Sequence, residues 1–241
     1  MNYLEKIKEK DMEFSELDAR MKTDADLLYL KKYVMTDKTG KHAIPDIVNS
    51  TLNKPAVFAA NVLSALGSVK QQVVVESESR RIDTGLIEEI LNKAMAMANS
   101  RLRKQKRSQL NPSADIGFCI RGRHARRVLF RLENDEIMPD ITSWDGRFVR
   151  YGVGTVGLEW ASFKTTRTKA EIESEYQTTI KETTAEILDV WDKEHNEVWL
   201  GNKLISEQKH SYGFTPVVLG TVSLGYGDAL LETNWQKNEG E

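Results

Sequence analysis

The sequence has a single cysteine, Cys119. One thiol forms no internal disulfide, so a reducing compartment is the expectation. Its apolar neighbours Phe118 and Ile120 point to an inert buried thiol. No stretch approaches the roughly 18 consecutive apolar residues of a membrane span. The start, Met1 to Asp18, is dense in Lys and Glu and has no apolar core of the signal-peptide kind. Only four histidines are present, His42, His124, His195 and His210. None forms H-E-x-x-H, no Cys/His spacing suggests zinc, and three fall in expected turns or loops. The expected reading is surface histidine, with no metal site and no cofactor. No G-x-S-x-G elbow is present, so the Ser, His and Asp residues carry no signature of nucleophilic hydrolysis. Internal repeats and low-complexity tracts are likewise missing.

What remains is an ordinary globular composition over 241 residues, 40% hydrophobic and 29% charged. That length buries a core without disulfides or metals. The formal net charge of -2 is small, but a near-neutral sum hides local patches.

The chain changes texture midway. Residues 1–23 read as a charged arm or helix, and Asp24 to Val34 as a helical pattern through Leu27, Leu28, Leu30 and Val34. Ile44 to Val48 reads as a short extended piece. Asn53-Lys54-Pro55 opens a helix through Phe58, Val62, Leu63 and Leu66 that stops at Gly67. Val73-Val74-Val75 is a β-branched strand signal. Asp83 is placed to cap the longest helix, about 86–107, whose apolar positions from Leu86 to Leu102 keep helical spacing.

After Asn111-Pro112 the expectation is β. Ile116, Phe118 and Ile120 alternate, Gly122 to His124 turns, and Val128, Phe130 and Leu132 alternate again, as in a hairpin. Further strands are expected at Phe148–Tyr151, Leu158–Thr165, Ile187–Asp192, Glu197–Leu200, Leu204–Glu207 and Pro216–Ser223. Turns are expected at Lys193–Asn196 and Gly201–Lys203. Thr168-Lys169-Ala170-Glu171 fits a capping box. The fold class is therefore α+β, with a long amphipathic helix packed on an antiparallel, hairpin-rich region. The divisions are 1–23 (arm), 24–110 (mainly helical), 111–225 (mainly β) and 226–241 (polar tail).

Gly152-Val153-Gly154-Thr155-Val156-Gly157 matches G-x-G-x-x-G. That fingerprint binds dinucleotides only where a strand turns into a helix. Leu158 to Phe163 reads as strand instead, so a glycine-rich turn or bulge is expected. Asp140 and Asp145 are carboxylates five residues apart, but Pro139-Asp140 and Trp144-Asp145-Gly146 read as turn chemistry. Trp191 and Trp199 flank one hairpin turn and are expected to pack across it. Core packing is the ordinary role for the tryptophans.

Charge is the most informative feature. Between residues 101 and 131 lie Arg101, Arg103, Lys104, Lys106, Arg107, Arg121, Arg123, Arg126, Arg127 and Arg131, opposed in that stretch only by Asp115. Of these, Arg101, Arg103, Lys104, Arg107, Arg121, Arg123, Arg126 and Arg127 are the candidate contacts. A phosphate-binding patch is one reading. A helix end followed by strand residues that pair with acids on a neighbouring subunit is the other. Glu171, Glu173, Glu175, Glu182 and Glu186 supply an acidic counterpart further on, as head-to-tail association needs.

An ordered series of motifs resembles a known family. Asn53-Lys54-Pro55 with its apolar helix, Val73–Glu76, and the long helix that follows resemble the early wing of tailed-phage portal proteins. Phe118-Cys119-Ile120-Arg121-Gly122-Arg123 resembles a segment where a portal strand reaches an Arg-Gly corner. Ile137-Met138-Pro139-Asp140-Ile141, Trp144-Asp145-Gly146-Arg147-Phe148, Tyr151-Gly152-Val153-Gly154, Gly157-Leu158-Glu159-Trp160-Ala161 and Lys164-Thr165-Thr166-Arg167 continue the order. Glu171 to Tyr176, Val190-Trp191-Asp192 and Gly213-Phe214-Thr215-Pro216-Val217-Val218 complete it, over roughly residues 25–230.

The resemblance implies a structural module and not an enzyme, with no cofactor. It implies a ring of about twelve copies at one capsid vertex, in contact with capsid and scaffolding proteins, through which double-stranded DNA passes. It places the protein in the host cytoplasm during assembly and then in the virion, with no membrane partner. The stem and clip that meet the terminase motor and head-tail adaptor would follow Glu241 in a full subunit, so the chain is expected to represent the wing portion. A tunnel that moves DNA grips phosphates weakly, so the arginines are expected at subunit contacts. The alternative function is nucleic-acid binding through residues 101–131.

Overall fold

The computed structural model describes residues 3–29, 37–41, 53–69, 73–79, 81–133 and 135–222. The expected extended piece at Ile44 to Val48, together with His42, Trp235 and the polar tail, lies outside them. Helices α1 (Tyr3–Glu13) and α2 (Ser15–Leu28) lead the chain. Helices α3 (Lys54–Ser68), α4 (Thr84–Lys104) and α5 (Leu110–Arg121) follow. Strands β1 (Arg123–Glu133) and β2 (Glu136–Asp145) come next, then a 3-10 turn at Gly146–Phe148. Strands β3 (Val149–Gly154) and β4 (Gly157–Thr168) precede helix α6 (Lys169–Tyr176). The remaining strands are β5 (Thr184–Trp191), β6 (His195–Leu200), β7 (Lys203–Lys209) and β8 (Val217–Thr221). Two antiparallel sheets result, β2-β1-β8 and the meander β3-β4-β5-β6-β7. The chain is α+β.

Several starts and stops follow the expected local chemistry. The Asp83 carboxylate accepts the Leu86 amide at 3.0 Å and opens α4. Pro55 stands in the first turn of α3. Thr168 and Glu171 form a complete capping box at α6. The β6–β7 turn is Gly201-Asn202, with Gly201 at φ 59°. The end of α4 is sharper than the hydrophobic pattern suggests. Lys106 adopts φ 56°, its amide donates to Arg103 O, and the Arg107 amide donates to Leu102 O at 2.9 Å. These two bonds are a Schellman closure with a lysine at the left-handed position.

The largest departure is Ile116 to Ile120, expected as a strand and found inside α5 (Leu110–Arg121). Leu110, Ala114 and Gly117 are its buried residues, spaced i, i+4, i+7. Small side chains made that stripe quiet beside the louder alternation of Ile116, Phe118 and Ile120. Gly122, at φ 66°, is the left-handed cap of this helix and not a hairpin corner. The helical part therefore extends to Arg121, beyond the boundary expected at 110. The true hairpin joins β1 to β2, with Glu133 paired to Glu136 and Asp135 at φ 64°. Val73 to Glu76 joins neither sheet, and the Val75 amide donates to Glu88 Oε1 at 2.9 Å. The helix expected at Asp24 to Val34 is instead the end of α2, which runs from Ser15 to Leu28; residues 30–36 lie outside the described set.

The main core joins α2 (Phe14 at its entry, Leu17 and Met21) to Ala125, Leu129, Trp144, Tyr151, Ala161 and Trp191 of both sheets. Tyr3 and Ile7 of α1 cover Trp160, Leu188 and Val190 on one face of the five-stranded sheet. Ile172 of α6 covers Ile187 and Val198 on the other. Trp191 pairs with Asn196, and Trp199 with Leu188. The two tryptophans thus point to opposite faces, because side chains alternate along a strand, and they do not pack together. Trp144, Trp160 and Trp191 are buried, as core packing requires.

Candidate functional site

The β3–β4 hairpin carries the glycine motif. Gly154 pairs with Gly157 across a two-residue loop, Thr155-Val156, and Gly157 takes φ 133°. Gly152 meets the Trp160 indole, which a Cβ would approach to 2.3 Å from Nε1. The glycines therefore serve a tight turn and a close aromatic approach. No helix N-terminus faces them, since the segment that follows is β4. The motif is a β-turn, as the strand-like sequence after it predicts.

The eight candidate basic contacts separate into three groups. The first is internal. Arg121 forks onto Asp145 at 3.2 and 3.3 Å and reaches Met21 O at 2.5 Å. Arg123 is 2% exposed, with its guanidinium 5.4 Å from the Phe14 ring centroid; burial pushes its pKa down. Arg126 donates to Leu110 O at 2.6 Å and closes the start of α5 against β1. Arg127 bridges the sheets, reaching Asp140 at 3.0 Å and Asp189 of β5 at 3.4 Å. Its guanidinium lies 5.6 Å from the Trp191 ring. The second group is Arg101, half-buried and 3.7 Å from Glu133 on the β1–β2 hairpin. The third is Arg103, Lys104 and Arg107, which are exposed, together with Lys106. No carboxylate among the described residues lies within ion-pair distance of these four.

Asp140 and Asp145 are not simple turn residues. Asp140 lies mid-strand in β2, 8% exposed, and also accepts from Arg131 at 2.8 Å. Asp145 ends β2 and accepts the Arg147 amide at 3.0 Å, which starts the 3-10 turn. Asp189 is held between β1 and β6, where Asn196 donates to it at 2.7 Å. Burial raises its pKa, against the pull of Arg127. Sequence reading missed Arg150 altogether. It lies 8% exposed on β3, pairs with Asp11 at 2.7 Å and with Asp18, and donates to the carbonyls of Arg147 and Val149. Its partners are more than 130 residues away in sequence, beyond any local window.

The expected acidic counterpart is exposed but largely paired within the chain. Glu171 caps α6, Glu173 lies 3.7 Å from Lys169, Glu175 pairs with Arg167, and Glu186 lies 3.5 Å from Lys164. A different acidic surface stands at the other end of the five-stranded sheet. There Glu159, Asp192, Glu194, Glu197 and Glu207 line a groove of about 510 Å³ with Tyr3, Lys193 and His195. The Tyr3 hydroxyl donates to Asp192 at 2.6 Å. Burial pushes the Asp192 carboxyl up, but that hydroxyl and the amides of Glu194 and His195 together hold it below its ordinary range.

Histidine placement departs from the expected surface role. His124 is a β1 residue, 5% exposed, packed on Gly117 and edge-on to Phe118. Burial, with the charge of Arg126, pulls its pKa down to about 4. His210 is half-buried between Trp191 and Tyr212, with ring centroids 5.6 and 4.7 Å away. Burial pushes the half-buried Cys119 thiol up, away from the reactive thiolate. Among the described residues, no group of three or more His, Cys, Asp or Glu is placed to hold a metal ion, and no helix is long and apolar enough to cross a membrane.

Among the described residues, α3 and α4 keep exposed apolar faces. Only Ala59 of α3 is buried, while Val57 and Phe58 are 50% and 70% exposed. In α4 the buried residues are Ala98 and Leu102, near its C-terminus. Leu86 and Ile90, on another face, are more than half exposed. Exposed apolar side chains thus stand on neighbouring turns of both helices. No known family model matches the chain, and no curated protein relative is found.

Proposed function

We propose that the chain is a structural subunit of the tailed-phage portal type, its wing portion, assembling as a ring at one capsid vertex. Double-stranded DNA would pass through that ring during packaging and ejection. The observation that carries the reading is the ordered series of motifs from Asn53-Lys54-Pro55 to Pro216-Val217-Val218. Three features of the chain support it. The G-x-G-x-x-G element is a hairpin turn, and the buried charges are spent on tying α1, α2 and the sheets together. The uncovered faces of α3 and α4 supply surface for neighbouring copies. The partners on this reading are further copies of the chain, about twelve to a ring, and capsid and scaffolding proteins. Its location is the host cytoplasm during assembly and then the virion. Electron microscopy of the purified full chain tests it: closed rings of uniform number are expected, and open chains or isolated subunits at high concentration count against it.

A second reading, duplex DNA binding, is favoured by the exposed quartet Arg103, Lys104, Lys106 and Arg107. Four phosphate contacts would give a log–log salt slope of about −3.6. Filter-binding titration between 50 and 200 mM salt decides it, since a flat profile removes the reading.

A further inference from the structure

Exposed charges with no ion-pair partner among the described residues stand at opposite ends of one sheet: Arg103, Lys104, Lys106 and Arg107 at one, Glu159, Glu194 and Glu207 at the other. At one end, Arg107 lines a cleft in which Arg101, Arg127, Arg131 and Arg167 are already paired with Glu133, Asp140, Asp189 and Glu175, and which Glu171 also lines. Beside them, Arg103, Lys104 and Lys106 project from the end of α4. At the other end, Glu159 near the start of β4 lines the groove shared by Asp192, Glu194, Glu197 and Glu207, whose five carboxylates outnumber its one lysine, Lys193, and His195. From Glu159 to Arg167 the strand advances eight residues, about 26 Å at ~3.3 Å per residue.

Each end also carries uncovered apolar surface. None of residues 84–97 is buried. Leu86, Ile90 and Met97 are 54%, 55% and 38% exposed, and their i, i+4, i+11 spacing puts them on one face of α4. That stripe leads along the helix to the basic end. At the acidic end, the β3–β4 turn presents Val156 and Val153, 94% and 42% exposed, on the same hairpin as Glu159. An apolar strip next to positive charge therefore has a counterpart, an apolar turn next to negative charge, on the same chain.

We infer that the α4 face, Leu86 to Arg107, docks on the β3–β4 turn and acidic groove of a second copy of this chain. The inference rests on the assembly reading above and names its contact surfaces. The two surfaces differ and lie at opposite ends of the sheet, so the contact is heterologous and head-to-tail. Each copy keeps one surface free after the first contact, which lets association continue until the rotation closes a ring. Exposed charges are screened by salt, so they set register and choice of partner, while the apolar strips remain in contact at high ionic strength.

The test uses the full chain and two charge-reversed variants, Lys104→Glu with Arg107→Glu, and Glu194→Lys with Glu207→Lys. All four side chains are exposed, and circular dichroism verifies that each variant folds. Association is read by sedimentation velocity over a concentration series at low salt. Each variant alone is expected to self-associate roughly 100-fold more weakly than the unaltered chain. An equimolar mixture is expected to recover assembly, because every contact then joins opposite charges again. If the unaltered chain assembles and both variants match it, the docking surfaces are wrong and the ring reading stands. If the reversals abolish open chains or dimers and no ring forms, the surfaces stand and the ring reading falls. An unaltered chain that is monomeric at every concentration overturns both. If Lys104→Glu with Arg107→Glu weakens duplex DNA binding and leaves self-association unchanged, the basic end is a nucleic-acid contact and the inference is overturned.

Discussion

Replacing Arg127 with methionine separates an internal tie from an exposed contact. Arg127 reaches Asp140 at 3.0 Å and Asp189 at 3.4 Å, and it also covers the Trp191 ring. Removing one partner of a buried ion pair costs about 3–5 kcal/mol, because the other charge stays desolvated. The three side chains retain 11–15% exposure, so the lower end applies, about 3 kcal/mol. The loss also depends on pH. Burial already raises the Asp189 carboxyl, and Arg127 is the largest opposing influence. A carboxyl with a raised pKa in the folded state contributes stability that is complete below the unfolded pKa and is lost as pH rises through the folded one. Without Arg127 the rise is larger, so the deficit should be greater at pH 8 than at pH 4.5. Urea unfolding followed by tryptophan fluorescence measures this against the unaltered chain at both pH values. Adding Asp189→Asn to Arg127→Met should return at least about 1 kcal/mol, since a neutral amide carries no stranded charge. A deficit below about 1 kcal/mol that is equal at both pH values would refute the internal role and return Arg127 to the surface.

Gly152→Ala drives a methyl toward the Trp160 indole, 2.3 Å from Nε1; a loss of about 1–3 kcal/mol is expected from overpacking, and an unchanged urea midpoint would show that the indole moves freely. His124 holds its pKa near 4 against 6.5 for an exposed ring, so the unfolded chain binds the extra proton between those values. Stability from this site is complete above pH 6.5 and falls as pH drops toward 4, by roughly 1–2 kcal/mol after allowance for solvent screening. His124→Phe should flatten that acid limb of the stability profile, and an unaltered limb would place the lability elsewhere. Lys106→Gly removes the steric cost of φ 56° and should stabilise by about 1 kcal/mol in the same urea assay; a loss of stability would mean that the Lys106 side chain makes a contact that matters more.

What was legible in the sequence follows the range of the interactions involved. Asp83 before α4 and the Thr168–Glu171 box act within three residues, and both were readable. The β3–β4 turn was readable for the same reason, since the strand-like run from Leu158 to Phe163 contradicts a phosphate-binding helix start. Helix α5 was not, because its buried stripe is Leu110, Ala114 and Gly117, of which only Leu110 is large. The arginines misled for a different reason. Closeness along the chain suggested one patch, yet the strand period and α5 turn Arg121, Arg123 and Arg127 inward. Their acids lie far off in sequence, Asp145 at 24 residues from Arg121 and Asp189 at 62 from Arg127. The acidic groove is assembled from α1, β4, the β5–β6 turn, β6 and β7, so no segment carries it alone. What local reading did capture is the end of α4, where Arg103, Lys104, Lys106 and Arg107 are consecutive in space because they are nearly so in sequence.

The ring is the central claim, and particle images of the purified full chain test it most directly. At low salt and micromolar concentration, class averages should show closed rings of a single subunit number, near twelve. A field of monomers, or of open filaments with no closure at any concentration, would contradict the account.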